Sequence, residues 1–426
     1  MKIISLTPGT GSFHCGSCIR DNSLVLSLRK LGHDVIMVPL YLPFVTDGQD
    51  SSDGTRVFLG GVNAYLQQKS SFFRILPKWI DRIFDNNTLL RRVSRNASMT
   101  SARDLGEISV STLKGLEGFQ KKEIKHLINF LKHQEKPDVV MISNMLLTGL
   151  VETIKDEVGC KVVVCMQGED TFLDSLPAPW RKECWDLISK NCQNVDLFLP
   201  VSRYHGDLMT RRLGLPKEKI TVIHNGLDFS EFKLSDHPEG PPILGFLSRL
   251  IPSKGLDILT DAFIHLKQEN LVPNLKLKIA GSKTKGEDAF LTSIKEKLKL
   301  ANVLDDVDFQ YNINSQEKID FLASLTLFSV PAEYGESFGL YVIEAAAAGL
   351  PVIQPDSAAF PEILEKLDSG LLYKTGDYQD LAIKISQCCH ELEKEKTRAL
   401  KAVDKVQEFF TSEVMAKTVV QAFGGL

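Results

Sequence analysis

Residues 3–39 read IISLTPGTGSFHCGSCIRDNSLVLSLRKLGHDVIMVP. The short apolar run at 3–7 predicts a strand, and a loop of small residues follows at 8–16. From 17 to 31, Leu24, Leu26 and Leu28 recur among polar partners, which predicts a helix that stops at Gly32. Residues 33–39 return to an apolar run and predict a second strand. Strand, glycine-rich loop, helix and strand, in that order, begin a doubly wound α/β sheet. Working outward, buried strands are expected at 139–142, 162–166, 197–201 and 220–223, with helical stretches between them.

Residues 233–242, KLSDHPEGPP, are rich in Pro, Gly and charge and lack periodicity, as a linker would be. Beyond them a second alternation begins. Strands are expected at 243–247, 275–280, 307–311 and 327–330, and helices at 255–267, 289–298, 316–323 and 339–348. Two successive open α/β units predict two Rossmann-like domains facing across a cleft, with ligands at the carboxyl ends of the strands. The expected boundaries are 1–235, 236–408, and a C-terminal helix at 409–426 that returns to the first domain.

Composition agrees with this division. A chain of 426 residues is too long for one ordinary core. Hydrophobic residues at 43% and charged residues at 24% are the usual globular balance. A net charge of -4 gives no reason to expect nucleic acid as a partner. The first residues are too polar for a signal-peptide core, and no apolar run reaches membrane-spanning length. The chain therefore reads as soluble and cytoplasmic. Its eight cysteines are scattered. Cys15 and Cys18 form a C-x-x-C, but no second pair or paired histidines complete a zinc site, so neither a metal nor a redox centre is expected. Cys388 and Cys389 read as part of an amphipathic helix.

Chemistry concentrates in residues 331–351, PAEYGESFGLYVIEAAAAGLP. Glu336 and Glu344 flank Ser337, Phe338 and Gly339, which sit at the mouth of a predicted helix. Backbone N–H groups at a helix start, with glycine allowing close approach, suit anions and hydroxyls. Helical spacing would put Glu344 on the same face as Glu336. A plain capped helix is the alternative, but Glu344 lies between Val342, Ile343 and four alanines, a poor solvated face. Arg249, after the strand at 243–247, and Lys254 can clamp a diphosphate, the first by a bidentate fork and the second as a compact charge.

In order and spacing these segments resemble family 4 of the retaining glycosyltransferases, the GT-B enzymes also described as glycosyl transferases group 1. The resemblance rests on the early small-residue loop, Gly32-His33-Asp34-Val35, Val201-Ser202, and His224-Asn225-Gly226-Leu227-Asp228 with Phe232. Ser248-Arg249 with Lys254-Gly255, Ala280-Gly281, Glu336-x7-Glu344, and Gly349-x-Pro351-Val352 complete it. It implies a hexosyl transfer from a UDP- or GDP-sugar to a hydroxyl acceptor on a saccharide or lipid-linked saccharide. No catalytic metal and no cofactor are implied. Arg249 and Lys254 would neutralise the departing diphosphate, and Glu344 would accept hydrogen bonds from the ribose. Glu336, with Ser337, Phe338 and Gly339, would hold the donor sugar. Gly16 would let the first loop approach donor and acceptor.

Three departures bear on that resemblance. Cys15 stands where the first of two glycines is usual. Gln167 stands where many relatives carry a histidine facing the donor sugar, and an amide can bond a hydroxyl but cannot act as acid or base. Asp170 is the alternative candidate there, beside a plain reading as a capping carboxylate. Asp306-Val307-Asp308 spells D-x-D but precedes a strand, and reads as a turn.

A nicotinamide dehydrogenase is excluded by the spacing of Gly9, Gly11 and Gly16 and by the lack of an acidic residue after the second strand. A nucleotide-sugar epimerase, a phosphorylase and a non-catalytic GT-B scaffold stay open as alternatives. Residues 71–95 place Ile75, Leu76, Trp79, Ile80, Ile83 and Phe84 at helical spacing among basic residues. That pattern suits peripheral contact with the inner membrane surface, or a helix packed on the first domain.

Overall fold

The computed structural model describes residues 1–9, 16–44, 46, 49–52, 57–59, 102–236 and 240–426. The stretch at 71–95, Cys15 and the rest of the loop at 10–15 lie outside the described residues. The chain divides into two compact units: Met1–Gly226 with Ser412–Leu426, and Leu227–Thr411. The division falls upstream of the Pro/Gly-rich segment. Leu227 already belongs to the second unit, its N–H donating to Phe410 O at 3.0 Å.

The first unit runs β1 (Lys2–Thr7), α1 (Gly16–Lys30), β2 (Asp34–Pro39), α2 (Ala102–Leu113), α3 (Lys121–Asn129) and β3 (Val139–Ile142). It continues with α4 (Val151–Val158), β4 (Lys161–Met166), α5 (Glu169–Ser175), α6 (Ala178–Asn191), β5 (Leu197–Pro200) and α7 (Arg203–Leu213). The strands pair in the order β2-β1-β3-β4-β5, all parallel. Strands covered on both faces can be apolar throughout, which is why 139–142 reads VVMI. Alternate residues of such a strand serve opposite faces. Val140 and Ile142 join Ile4, Leu6, Val162 and Val164 in one core, whereas Val139 and Met141 join Ile3, Val163 and Leu199 in another. The second core is closed by Leu24, Val25 and Leu28 of α1 and by Met415, Val419 and Phe423 of the C-terminal helix, Ser412–Phe423.

Residues 220–223 do not form the expected strand. They run beside β5 with a single bridge, Phe198 to Ile220, and two further bonds, Thr221 N–H to Phe198 O and Ile223 N–H to Pro200 O. Only Ile223 of the four is buried, so the segment lacks the two covered faces of the central strands.

The second unit runs β6 (Ile243–Leu247), α8 (Leu256–Gln268), β7 (Lys276–Gly281), α9 (Asp288–Leu300), β8 (Val307–Tyr311), α10 (Ser315–Ala323), β9 (Leu327–Phe328) and α11 (Leu340–Ala347). There follow β10 (Ile353–Pro355), α12 (Phe360–Leu367), β11 (Leu371–Tyr373), α13 (Tyr378–His390) and α14 (Leu392–Phe409). Its parallel sheet has the order β8-β7-β6-β9, and β10 pairs parallel with β11. A parallel bridge from Phe328 to Val352 joins the two groups. Among the described residues, no helix is long and apolar enough to cross a membrane.

Candidate active site

In the second unit the site is built where β6 and β9 end. After β6 the chain makes a tight turn at Pro252–Lys254, closed by Gly255 N–H donating to Pro252 O. Gly255 has φ of 72°, and a Cβ there would lie 1.8 Å from Pro331 O, so only glycine permits this approach. The close approach sets Lys254 against the segment that follows β9. Its ammonium donates to Glu336 Oε2 at 2.5 Å and also to the Tyr334 hydroxyl. The Tyr334 and Tyr341 hydroxyls each donate to the same carboxylate oxygen at 3.0 Å. Lys254 Nζ stands 4.9 Å and 5.3 Å from the centres of the Tyr334 and Tyr341 rings, within cation–π range.

This cluster is nearly dry. The Lys254 and Glu336 side chains are 13% and 10% exposed. Burial alone would push the Glu336 carboxyl up. The Lys254 charge and the bonds from Lys254, Tyr334 and Tyr341 overcome it and hold the group below the usual carboxylate range. Burial and the neighbouring Glu336 charge push the Tyr341 hydroxyl well above its ordinary range. The result is a fixed anion wrapped by one cation and two phenols.

Gly339, with φ of 84°, turns the chain into α11, whose first residue is Leu340. Ser337, Phe338 and Gly339 are buried in the approach to this helix. Glu336 therefore precedes the helix, and the expected helical face shared with Glu344 does not exist: the left-handed glycine interrupts the period. Each carboxylate instead has its own lysine. Glu344 Oε1 accepts from Lys318 of α10 at 2.5 Å. Arg249 is exposed, and among the described residues no group is bonded to its guanidinium. Asp306 is engaged by Lys267 at 2.7 Å and by Lys276, which hold its carboxyl low. Among the described residues no group of three or more His, Cys, Asp or Glu is arranged to hold a metal ion.

Gly16 and Gln167 belong to the first unit. Gly16 is the first residue of α1. Gln167 follows β4, and its amide nitrogen donates to Asp21 Oδ1 at 3.2 Å and to Ser143 O at 2.7 Å. Through that nitrogen Gln167 ties α1 to the end of β3 and the end of β4. Asp21 is fully buried, bonded by Arg20 Nη1 at 2.9 Å and by Thr7 Oγ1 at 3.4 Å. Burial outweighs Arg20 and raises its carboxyl. The Arg20 Nε donates to Asn225 Oδ1 at 3.2 Å.

Glu169 anchors the Gln167 turn. Its Oε2 accepts from the N–H groups of Gln167 and Gly168 at 2.9 Å and 3.0 Å, and its Oε1 from Met145 N–H at 2.9 Å. Beneath lies His205, wholly buried, whose Nε2 accepts from Gly168 N–H at 3.2 Å. An accepting Nε2 places the ring proton of the neutral tautomer on Nδ1, 3.7 Å from Asp170 Oδ1. Burial pushes the Asp170 carboxyl up; the His205 ring opposes this and the Glu169 charge adds to it. Sequence reasoning missed Tyr334, Tyr341, Lys318, Glu169 and His205. Tyr334 and Tyr341 lay inside the quoted motif, but the other three come from separate elements and share no spacing with it.

Residues 229–403 match the family model described as Glycosyl transferases group 1, and residues 113–231 match the one described as Glycosyltransferase Family 4. The D-inositol 3-phosphate glycosyltransferase of Streptomyces bingchenggensis is 29% identical over 192 residues, 42% of each chain. The amylovoran biosynthesis glycosyltransferase AmsK of Erwinia amylovora is 30% identical over 53% of this chain and 55% of its own. This chain spans about half the length of the curated relatives it matches. Among solved structures, HepE of Anabaena in complex with UDP is 16% identical with a TM-score of 0.68, covering 100% of both chains. Sucrose-phosphate synthase of Thermosynechococcus elongatus is 18% identical with a TM-score of 0.71, covering 100% of this chain and 99% of its own. At such identities the likeness is one of fold.

Proposed function

The chain belongs to the group 1, family 4 glycosyltransferases, with a GT-B fold of two Rossmann-like units, and on that premise we propose that it is a retaining, metal-independent hexosyltransferase. Its donor is a nucleotide sugar, UDP- or GDP-linked, and its acceptor a hydroxyl on a saccharide or lipid-linked saccharide. The observation that carries this reading is the Lys254–Glu336 pair at the end of β6. Two of the three ammonium protons go to Glu336 and Tyr334, which fix the nitrogen and leave the third for a phosphate oxygen. A fixed cation aimed at the charge that develops on the departing diphosphate lowers the barrier without reorganisation at the moment of reaction.

The other residues take roles around that cation. Arg249 adds a guanidinium fork to the diphosphate. Glu336 Oε1, opposite the oxygen held by Lys254 and the tyrosines, accepts from the donor sugar, and Ser337, Phe338 and Gly339 line its approach. Glu344 accepts from the ribose. In the first unit Gly16 and Gln167 take the donor-binding roles that the family resemblance gives them, and Gln167 also braces the turn after β4. As the bond from the anomeric carbon to the diphosphate oxygen breaks, the bond to the acceptor oxygen forms on the same face. The acceptor proton passes to the departing phosphate.

HepE was solved with UDP, which makes UDP-sugars the first donors to test. A thermal-shift screen against UDP-, GDP- and ADP-sugars tests the proposal, because a ligand at 100 times its Kd stabilises the folded state by about 2.7 kcal/mol. One nucleotide should raise the melting temperature alone. No shift with any of them would sink the reading.

A further inference from the structure

Lys318 is the fourth residue of α10, directly after the capped Glu317, and that first turn is pinned. Asn314 accepts from Glu317 N–H at 2.9 Å, and Glu317 reaches back to Asn314 N–H at 2.8 Å, a reciprocal capping box. The direction in which Lys318 leaves the helix is therefore set locally. Its ammonium reaches Glu344 Oε1 at 2.5 Å, with the two side chains 20% and 10% exposed. The nearby acid on its own helix does not compete: Asp320 is held by Lys233 at 2.8 Å. The Phe232 ring, 5.9 Å from the Lys318 nitrogen, covers it from another side.

Glu344 is equally confined. It projects from the second turn of α11 between Val342, Ile343, Ala345 and Ala346, all buried. With Oε1 held by Lys318, the carboxylate plane is fixed. Among the described residues no group is bonded to Oε2. An acceptor oxygen held in one orientation can take a hydrogen bond from a neighbouring hydroxyl without first losing rotamer freedom.

We propose that Lys318 is a positioning residue that orients Glu344 so that the carboxylate recognises the vicinal diol of a nucleoside diphosphate ribose. The proposal rests on the ribose role given to Glu344 above. Lys318 acts through Glu344 and sets selectivity for a ribose over a sugar lacking both hydroxyls. An ion pair that merely braced α10 against α11 would show no such selectivity.

Calorimetry with UDP and GDP, each beside its 2′,3′-dideoxy form, separates these cases. The chain should bind the ribonucleotide about ten- to a hundredfold tighter than the dideoxy form, the worth of one or two hydrogen bonds to a charged acceptor. Lys318→Met should weaken the ribonucleotide by about five- to thirtyfold and the dideoxy form by less than about twofold, collapsing the discrimination. Lys318→Arg should restore most of it. If Lys318→Met fails to fold, Lys318→Gln carries the same comparison. Equal weakening of both ligands, or full discrimination in the variant, overturns the proposal. Glu344→Gln keeps the readings apart. If it abolishes discrimination while Lys318→Met does not, Lys318 alone is dismissed. If it leaves discrimination intact, the ribose role of Glu344 falls, and with it this proposal. Binding of neither ribonucleotide to the unaltered chain overturns both.

Discussion

Replacing Lys254 by alanine probes the cluster on which the proposed chemistry rests. The change removes the ammonium from Glu336 Oε2 and leaves the Tyr334 and Tyr341 hydroxyls, each at 3.0 Å. Breaking a buried pair by deleting one partner costs about 3–5 kcal/mol when the remaining charge is uncompensated. Here two donors remain and the pair is 13% and 10% exposed, so the expected loss is about 2–3 kcal/mol. Domains are stable by about 5–15 kcal/mol, so the variant should still fold. Turnover should fall on the order of a hundred- to a thousandfold, the usual effect of removing one transition-state donor. The pH dependence gives a second readout. A carboxyl held below its ordinary range adds stability that is complete above that range and lost as pH falls through the depressed value. In Lys254→Ala, burial is opposed only by the tyrosines, so the folded-state value of Glu336 rises and its acid-linked loss of stability shrinks. The stability gap between parent and variant should be widest near neutral pH and narrow as pH falls. The assay is kcat for nucleoside diphosphate release, beside thermal melts from about pH 3 to 7. Near-parental turnover, or a stability gap that does not narrow as pH falls, would refute the reasoning.

Tyr341→Phe deletes one hydroxyl donor to Glu336 while keeping the ring, and should lower kcat/KM by about tenfold with a melting temperature close to the parent's. Unchanged kcat/KM would show that the phenol only packs. Gln167→Ala breaks the bonds to Asp21 and Ser143; it should cost about 1–3 kcal/mol of stability and about ten- to a hundredfold in kcat/KM. A loss of activity with no loss of stability would instead point to a direct sugar contact. EDTA should leave initial rates nearly unchanged, and a strict requirement for added Mg²⁺ or Mn²⁺ would overturn the cationic-side-chain mechanism.

The alternation of strands and helices was legible because most central strands are largely apolar runs bounded by a glycine or polar turn. Residues 139–142 and 243–247 match the observed strands for that reason. The segment 220–223 looked the same in sequence, but it lies at the margin of the sheet and makes one bridge. The strands β10 and β11, three residues each, are too short to carry a period. At the site, Lys254 and Glu336 were legible as chemistry, but their contact was not, since it depends on Gly255 bringing two loops together. The shared face for Glu336 and Glu344 failed because a glycine with positive φ lies between them. Lys318 and His205 left no trace in spacing: each meets its partner across elements, and only folding places them together.

The most direct test of the central claim is transfer itself, followed by NMR of the product formed from UDP-glucose and other UDP- and GDP-sugars with a hydroxyl acceptor. The account predicts release of one nucleoside diphosphate per glycoside formed. The anomeric configuration of the product should match that of the donor, and both signals should be lost in Lys254→Ala. A product of inverted configuration, or transfer undiminished without Lys254, would contradict it.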